Sequence, residues 1–135
     1  MSGPVVVEIR SPEQVSTARR VVQARATAIG MSTLEITKFV TAASELARNV
    51  LVHGRGGTMT MLDVQRDGKP GLQLEFEDQG PGIADVSLAL RDGFTTGNSL
   101  GLGLGGAQRL VQHFEIVSSV PGAGTHVRIA QWKRR

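Results

Sequence analysis

The chain has 135 residues, contains no cysteine and carries a net charge of +3 from 15 Lys+Arg against 12 Asp+Glu. This length fits a single domain spanning residues 1–135, and the lack of cysteine excludes disulfide frameworks and thiolate metal sites. The basic residues are scattered and aromatic residues make up only 4% of the chain, so we expect no nucleic-acid interface. Neither a membrane-spanning apolar run nor a signal-peptide pattern occurs, so we expect a cytoplasmic protein without membrane contact.

The N-terminal part of the chain predicts one strand followed by a capped helix. Apolar residues alternate over 5–9, which is typical of a half-buried strand. Ser11 and Pro12 then predict a helix start, with Gln14 closing a capping box and Gly30 ending the helix.

A second helix is predicted from Ser32, whose capping box is completed by Glu35, to about His53. Its predicted apolar stripe consists of Ile36, Phe39, Val40, Ala43, Ala47 and Val50. Glu45 and Asn49 are four residues apart and share one face, which we place nearly opposite the centre of that stripe. They form either a solvated surface or a carboxylate and an amide that both face a bound metal-phosphate group.

Two strands are predicted over 58–65 and 72–78, joined by a turn over 67–71. Strand parity places Asp78 on the same face as the apolar residues of the second strand. A carboxylate on a core face is costly unless it is hydrogen-bonded. Either the strand ends one residue earlier and Asp78 caps the turn, or Asp78 binds a ligand in the space that the neighbouring glycines leave.

The C-terminal part predicts a short helix over 84–91, a loop over 92–101, a long helix and two last strands over 115–119 and 125–130. The apolar residues of this third long helix are Leu104, Ala107, Leu110, Val111 and Phe114. The glycine-rich run 101–106 leads directly into the helix, so its backbone N–H groups either receive phosphate oxygens or allow close helix packing. It follows a loop rather than a strand, which argues against a Rossmann fold, and no Walker A motif is present.

The histidines predict structural or surface roles. His53 falls at a helix end, where a cation suits the helix dipole. His113 and His126 are isolated in the sequence, with no second ligand at metal spacing. Helices combined with a mixed sheet favour a two-layer α/β sandwich.

Four segments in chain order resemble the motifs of the GHKL, or Bergerat-fold, ATPases. They are an N-box at 45–49, a D-x-G-x-G box at 78–82, a G-x-G-x-G box at 101–105 and a closing Gly-Thr pair at 124–125. The resemblance implies the α+β fold of that family, a two-layer α/β sandwich with a mixed, mostly antiparallel sheet and helices on one face.

Further segments resemble one subfamily over nearly the whole chain, namely the T-type switch serine kinases of the bacterial stressosome. The segments are 44–49, 77–83, 92–96 and Trp132. We expect neither a phosphoacceptor-histidine domain nor a transducer domain, which argues against a two-component histidine kinase and against gyrase-like or chaperone-like members.

The resemblance also implies residue roles. Asp78 would accept a hydrogen bond from the adenine amino group, Gly80 and Gly82 would let the base approach, Asn49 would hold Mg²⁺, and Glu45 would orient or deprotonate a serine hydroxyl. The other implied ATP contacts are a lid of Thr95, Thr96 and Ser99, the phosphate cradle of Gly101, Leu102, Gly103, Leu104 and Gly105, and Thr125 near the adenine.

The function implied by the resemblance is that of a serine-protein kinase that uses ATP and Mg²⁺. Its expected partners are STAS-domain antagonist or scaffold proteins, which it phosphorylates, and a PP2C-type phosphatase, which it activates as a partner-switching regulator of stress and sigma-factor signalling. The alternative is an anti-sigma factor of the same fold that sequesters a sigma subunit, because such proteins share the ATP motifs.

Overall fold

The computed structural model describes residues 3–80, 104–120 and 124–134 of the chain. The strands of this part are β1 (Val5–Ile9), β2 (Gly57–Arg66), β3 (Lys69–Asp78), β4 (His113–Val120) and β5 (Gly124–Trp132). Its helices are α1 (Pro12–Ala28), α2 (Thr33–Val52) and α3 (Leu104–Leu110). The short helix predicted over 84–91 and the loop predicted over 92–101 lie outside the described residues.

The strands form one five-stranded sheet in the order β1-β2-β3-β5-β4. Every pair of neighbouring strands in it is antiparallel, so the described sheet is not mixed. The side chains on one face of the sheet are buried together with the apolar stripes of the helices in a single hydrophobic cluster. The predicted α+β sandwich, with a sheet on one side and helices on the other, is confirmed.

The helix starts follow from their caps. The Ser32 side chain accepts from the Glu35 N–H at 3.1 Å, and the Glu35 carboxylate accepts from the Ser32 N–H at 2.7 Å, which confirms the predicted capping box. At α1 the Ser11 side chain accepts from the Gln14 N–H at 3.3 Å. The Gln14 side chain, however, accepts from the N–H of Arg10 at 2.6 Å rather than that of Ser11, so the predicted second half of this box is wrong.

The turn between β2 and β3 is tighter than predicted. Arg66 pairs with Lys69, so only Asp67 and Gly68 connect the strands, and Pro70 already lies in β3. Asp67 and Gly68 have φ angles of 53° and 77°. Two consecutive positive φ values define the turn type that matches the twist of a two-residue hairpin, which is why Asp-Gly alone is sufficient here.

The third long helix is shorter than predicted. It ends at Leu110, and Phe114 lies in β4, where it packs against the core. The cause is a side-chain link between the segment after α3 and β5: the Gln112 side chain accepts from the Trp132 N–H at 2.7 Å. The Gln112 N–H in turn donates to the Gln131 side chain at 3.0 Å. The Gln112 N–H is thus bonded to a β5 side chain instead of continuing the helix, and β4 begins at the next residue.

Helices within the described ranges are all too short or too polar to cross a membrane.

Candidate functional site

Asp78 is the last residue of β3, and its side chain lies on the face that points toward the helices. Leu74 and Phe76 of the same face are buried, as strand parity predicts, and Asp78 is half-buried. Its Oδ1 accepts from the Gly80 N–H at 2.9 Å. The strand therefore does not end one residue earlier, yet Asp78 does cap the following turn.

Burial raises the pKa of the Asp78 carboxyl above its ordinary value, because desolvation penalises the charged form. Hydrogen bonds from the backbone of Gly80 and Thr125 oppose this rise only in part. Both backbone groups that donate to the Asp78 carboxylate belong to segments that flank the end of β3. Asp78 is thus a poorly solvated hydrogen-bond acceptor at a sheet edge, which suits recognition of a ligand N–H group.

The chain around Asp78 is packed backbone to backbone through four glycines, Gly54, Gly57, Gly80 and Gly124, which we call the glycine junction. A Cβ at Gly54 would collide with the Asp78 side chain, and one at Gly57 would collide with the Glu77 carbonyl. Because contacts this close leave no room for a side chain, the junction fixes how α2 and β3 meet.

The other two members of the glycine junction are Gly80, in the turn after β3, and Gly124, at the start of β5. A Cβ at Gly80 would lie 2.6 Å from the backbone of Gly54. Gly124 has a φ of 101°, and a Cβ there would collide with the Asp78 carbonyl. Gly80, predicted to let a base approach, is thus already required by the protein's own backbone. Gly54 was predicted only to end a helix, and the local cluster of glycines is the one sequence signal for its contact with Asp78.

Thr125 lies directly opposite Asp78 in the register of β3 and β5. Together with the Thr125 backbone hydrogen bond to the Asp78 carboxyl, this places two of the predicted adenine-side residues in contact. The structure therefore brings together Asp78, Gly80 and Thr125, although they come from segments far apart in the sequence.

Glu45 and Asn49 lie on the last turns of α2, on the part of the helix that leads into Gly54. The Asn49 carbonyl accepts from the N–H groups of His53 and Gly54, both at 2.9 Å. The Glu45 carboxylate is 38% exposed and lies 3.3 Å from the Arg48 guanidinium. Both predicted residues thus lie on the half of α2 that leads to Gly54, which packs against the Asp78 side chain.

The prediction that Glu45 and Asn49 lie nearly opposite the centre of the apolar stripe needs a correction, because the buried stripe of α2 is wider than predicted. The buried residues of α2 are Phe39, Ala42, Ala43, Leu46, Ala47 and Val50. Because an α-helix turns by about 100° per residue, Ala42 and Leu46 lie on the side of the stripe that is nearest to Asn49. Glu45 and Asn49 are only partly exposed and flank the core, so they are not fully solvated.

Other predicted site residues fall elsewhere. Leu104 and Gly105 lie in α3, and the Leu104 side chain is buried in the core, so only its backbone is available to a ligand. The predicted residues outside the described ranges are Gly82, Thr95, Thr96, Ser99, Gly101, Leu102 and Gly103.

The histidine predictions need two corrections. Burial lowers the pKa of His53, so the neutral ring is favoured at the end of α2 rather than a cation. His126 is not isolated: its Nε2 lies 2.6 Å from Glu75 and its Nδ1 lies 3.4 Å from Glu77. Ligand atoms of these three side chains lie within 4.8 Å of one another, on the sheet face that points away from the helices. The pairing of β3 with β5 brings these three side chains together, and that pairing cannot be read from the sequence alone.

The described donor set fits ATP with Mg²⁺. Mg²⁺ prefers oxygen ligands, and α2 offers the Asn49 amide oxygen beside the Glu45 carboxylate. The half-buried Asp78 carboxylate offers an acceptor whose desolvation a bound amino group would offset. We find no conflict between these residues and such a ligand.

The chain is similar in sequence to several known proteins. Residues 10–131 match the family model of the histidine kinase-like ATPase domain. Serine/threonine-protein kinase RsbT of Bacillus subtilis (strain 168) is 37% identical over 134 residues, covering 99% of this chain and 100% of the relative. Anti-sigma F factor of Thermoanaerobacter sp. (strain X514) is 32% identical over 122 residues, covering 87% of this chain and 84% of the relative.

Solved structures agree on the fold. The crystal structure of the RsbU and RsbW domains of Rv1364c from Mycobacterium tuberculosis superposes with a TM-score of 0.66 at 18% identity. That match covers 99% of this chain but only 34% of the solved chain. The catalytic domain of histidine kinase ThkA superposes with a TM-score of 0.51 at 15% identity and covers 96% of each chain.

Proposed function

Since the chain belongs to the histidine kinase-like ATPase domain family and is a protein kinase of the serine/threonine type, we propose that it phosphorylates a serine of a STAS-domain antagonist protein. In this proposal ATP supplies the phosphoryl group and Mg²⁺ neutralises its charge. The reaction forms a bond between the serine Oγ and the γ-phosphorus and breaks the bond from that phosphorus to the β–γ bridging oxygen. ADP leaves, and the serine proton passes to a protein base.

The observation that carries the proposal is the position of Asp78. Its carboxylate is half-buried at the sheet edge, and the glycine junction holds it against the end of α2. A desolvated acceptor fixed by the backbone is suited to recognise the adenine amino group, because pairing restores the hydrogen bonding that burial removes. Thr125, opposite Asp78 in the register, would bond near the base.

Asn49 and Glu45 have separate roles in the proposed mechanism. Asn49 would hold Mg²⁺ through its side-chain oxygen, next to the phosphates. Glu45 lies one helical turn away and would accept the serine proton during transfer. The phosphates would contact the predicted lid of Thr95, Thr96 and Ser99 and the glycine-rich run 101–105.

The proposed biological role is partner switching. The kinase would phosphorylate its antagonist or scaffold partner, dissociate from it, and then bind and activate a PP2C-type phosphatase in the cytoplasm. The full-length 37% identity to a serine/threonine-protein kinase supports the kinase over a pure anti-sigma factor.

An anti-sigma role is the second candidate, favoured by the 32% identity to anti-sigma F factor. It would use the same nucleotide site but hold a sigma subunit as its main partner. Mixing the purified protein with a STAS-domain protein and with a sigma subunit separates the two: phosphorylated STAS protein supports the first, and a stable sigma complex supports the second.

The mechanism is tested by separating binding from phosphotransfer. We expect Glu45→Ala to leave ATP affinity nearly intact while phosphotransfer falls by about 10²–10⁴-fold, because proton removal matters chiefly in the transition state. Asn49→Ala should impair both Mg²⁺-dependent ATP binding and phosphotransfer. The measurements are calorimetry with ATP–Mg²⁺ and single-turnover transfer to the STAS protein.

Glu13→Ala is the matched control, since Glu13 is an exposed glutamate on α1. It should change neither ATP affinity nor phosphotransfer. Full phosphotransfer by Glu45→Ala would refute its assignment as the base, whereas failure of the unaltered protein to bind ATP would refute the proposed function as a whole.

A further inference from the structure

A groove lies at the opposite end of α2 from Asp78. It has a volume of about 400 Å³ and is bordered by the first turns of α2, the end of α3 and the C-terminal end of the chain after β5. The side chains used below are Leu34, Lys38, Arg109, Val111, Lys133 and Arg134. We call this feature the α2–tail groove.

The floor of the α2–tail groove is fixed by hydrogen bonds. The Glu35 carboxylate, 12% exposed, accepts from the Arg134 N–H at 3.1 Å as well as from the Ser32 N–H. The Lys133 N–H donates to the Pro70 carbonyl at 2.8 Å. The chain after β5 is therefore held against the start of α2, and the groove exists before any partner arrives.

The charged side chains that line the α2–tail groove are mostly positive. Four cationic side chains line it, against the single carboxylate of Glu35. That carboxylate is mostly buried, hydrogen-bonded to the backbone and 4.0 Å from the Arg134 guanidinium. Lys38 is exposed, and Glu35 is the one carboxylate of the described lining, so positive charge prevails in the groove.

The rim of the α2–tail groove also carries apolar surface. Leu34 is 63% exposed, whereas Phe39 and Leu46 of the same helix are buried. Val111 lines the opposite side and is partly buried. Aromatic side chains are absent from the described lining, so the groove lacks a platform on which nucleic-acid bases could stack.

We propose that the α2–tail groove binds an acidic segment of a protein partner, with an apolar side chain against Leu34 and Val111 and carboxylates at Lys38 and Lys133. An apolar anchor surrounded by complementary charge is the usual composition of a protein-recognition site. Lys38 and Asn49 are separated on α2 by about 16 Å at 1.5 Å per residue. A segment docked in the groove therefore leaves the Asp78 end accessible, and the proposal stands whether or not the chain transfers phosphate.

The test uses a synthetic, fluorescein-labelled peptide in which leucines are interspersed with Asp and Glu, and the full-length protein without nucleotide. Fluorescence anisotropy measures the affinity of the peptide for the protein. Changes in the backbone amide chemical shifts of ¹⁵N-labelled protein locate the peptide's binding site. We expect saturable binding that weakens with salt and shifts centred on Leu34, Lys38 and Lys133. The paired change Lys38→Glu and Lys133→Glu should weaken binding by about tenfold or more.

The matched control pair is Arg19→Glu and Arg20→Glu, which makes the same charge change on the exposed face of α1. It should alter affinity by no more than about twofold at moderate salt. Milder Lys38→Gln and Lys133→Gln variants, checked by circular dichroism, keep the test valid if the glutamates perturb folding. ATP affinity of every groove variant should match that of the unaltered protein, which separates this proposal from the nucleotide site.

Three results would overturn the proposal. The first is equal loss of affinity in the α1 control pair, which would mean attraction by net charge alone. The second is a set of amide shifts centred away from the groove. The third is equal binding of a peptide in which serines replace the acidic residues, which would remove the charge argument.

Discussion

The two ends of α2 are built by opposite means. At its C-terminal end the contact with β3 depends on missing side chains, because Gly54 and Gly80 let backbones meet around Asp78. At its N-terminal end the contact with the chain after β5 depends on a side chain, the Glu35 carboxylate, which binds backbone N–H groups of Ser32 and Arg134.

The difference has a functional consequence. Backbone packing fixes the position of one half-buried carboxylate, which suits recognition of a defined small ligand. Side-chain tethering leaves a groove with an exposed lysine and an exposed leucine, which suits a more variable peptide surface. One helix thus separates the two candidate sites by its own length.

The largest effect on stability should come from filling the glycine junction. Gly57→Ala would place a methyl group against the Glu77 carbonyl inside the β2–β3 pairing, where neither strand can move without breaking ladder bonds. We expect the free energy of unfolding to fall by about 3 kcal/mol or more, measured by urea denaturation.

Gly106→Ala is the matched control for Gly57→Ala. Gly106 lies in α3 with open space where its Cβ would be, so alanine there should stabilise the helix by about 0.5–1 kcal/mol. Similar unfolding energies for the two variants would show that the glycine junction tolerates a side chain, and the contrast between the ends of α2 would then be lost.

A medium effect is expected from Asp78→Asn. The amide replaces an acceptor by a group that is partly a donor, so ATP affinity should fall by about 1–3 kcal/mol in calorimetry. Unchanged ATP affinity would mean that Asp78 only caps the turn after β3, through its hydrogen bond from the Gly80 N–H.

Asp78→Asn should also alter how stability depends on pH. The pKa of Asp78 is raised in the folded protein, so its favourable contribution is present below its ordinary value and is lost as pH rises through the raised value. Asparagine cannot ionise, so the variant should gain stability relative to the parent as pH rises from the ordinary carboxyl pKa, about 3.9, through the raised pKa of Asp78. Asp67→Asn, in the exposed β2–β3 turn, removes the same charge from the surface and is the control for the change in net charge.

Features that depend on local chemistry could be predicted from the sequence. Examples are the Ser32–Glu35 capping box and the inward parity of Asp78, because each depends on residues a few positions apart. The strands and helices of the sandwich follow from periodicity for the same reason, apart from element ends such as that of α3.

Features that depend on pairing between distant segments could not be predicted. The grouping of Glu75 and Glu77 with His126 requires the β3–β5 register, and the role of Gly54 requires knowing that α2 ends against Asp78. The predicted α2 stripe was too narrow, because it left out both Ala42, whose small side chain carries little hydrophobic signal, and Leu46, although both are buried.

The smallest predicted effect concerns the caps of the two long helices. Ser32→Ala removes the acceptor for the Glu35 N–H and loosens the carboxylate that also holds Arg134, so we expect a loss of about 1 kcal/mol in urea denaturation. Ser11→Ala, the matched control, should cost less, because its hydrogen bond is longer at 3.3 Å and no reciprocal bond exists there. ATP affinity should stay unchanged in both variants, since Ser32 lies at the opposite end of α2 from Asp78. A clear loss of ATP affinity in Ser32→Ala would show that the two ends of α2 are energetically coupled, and the groove and the nucleotide site would then have to be treated as one system.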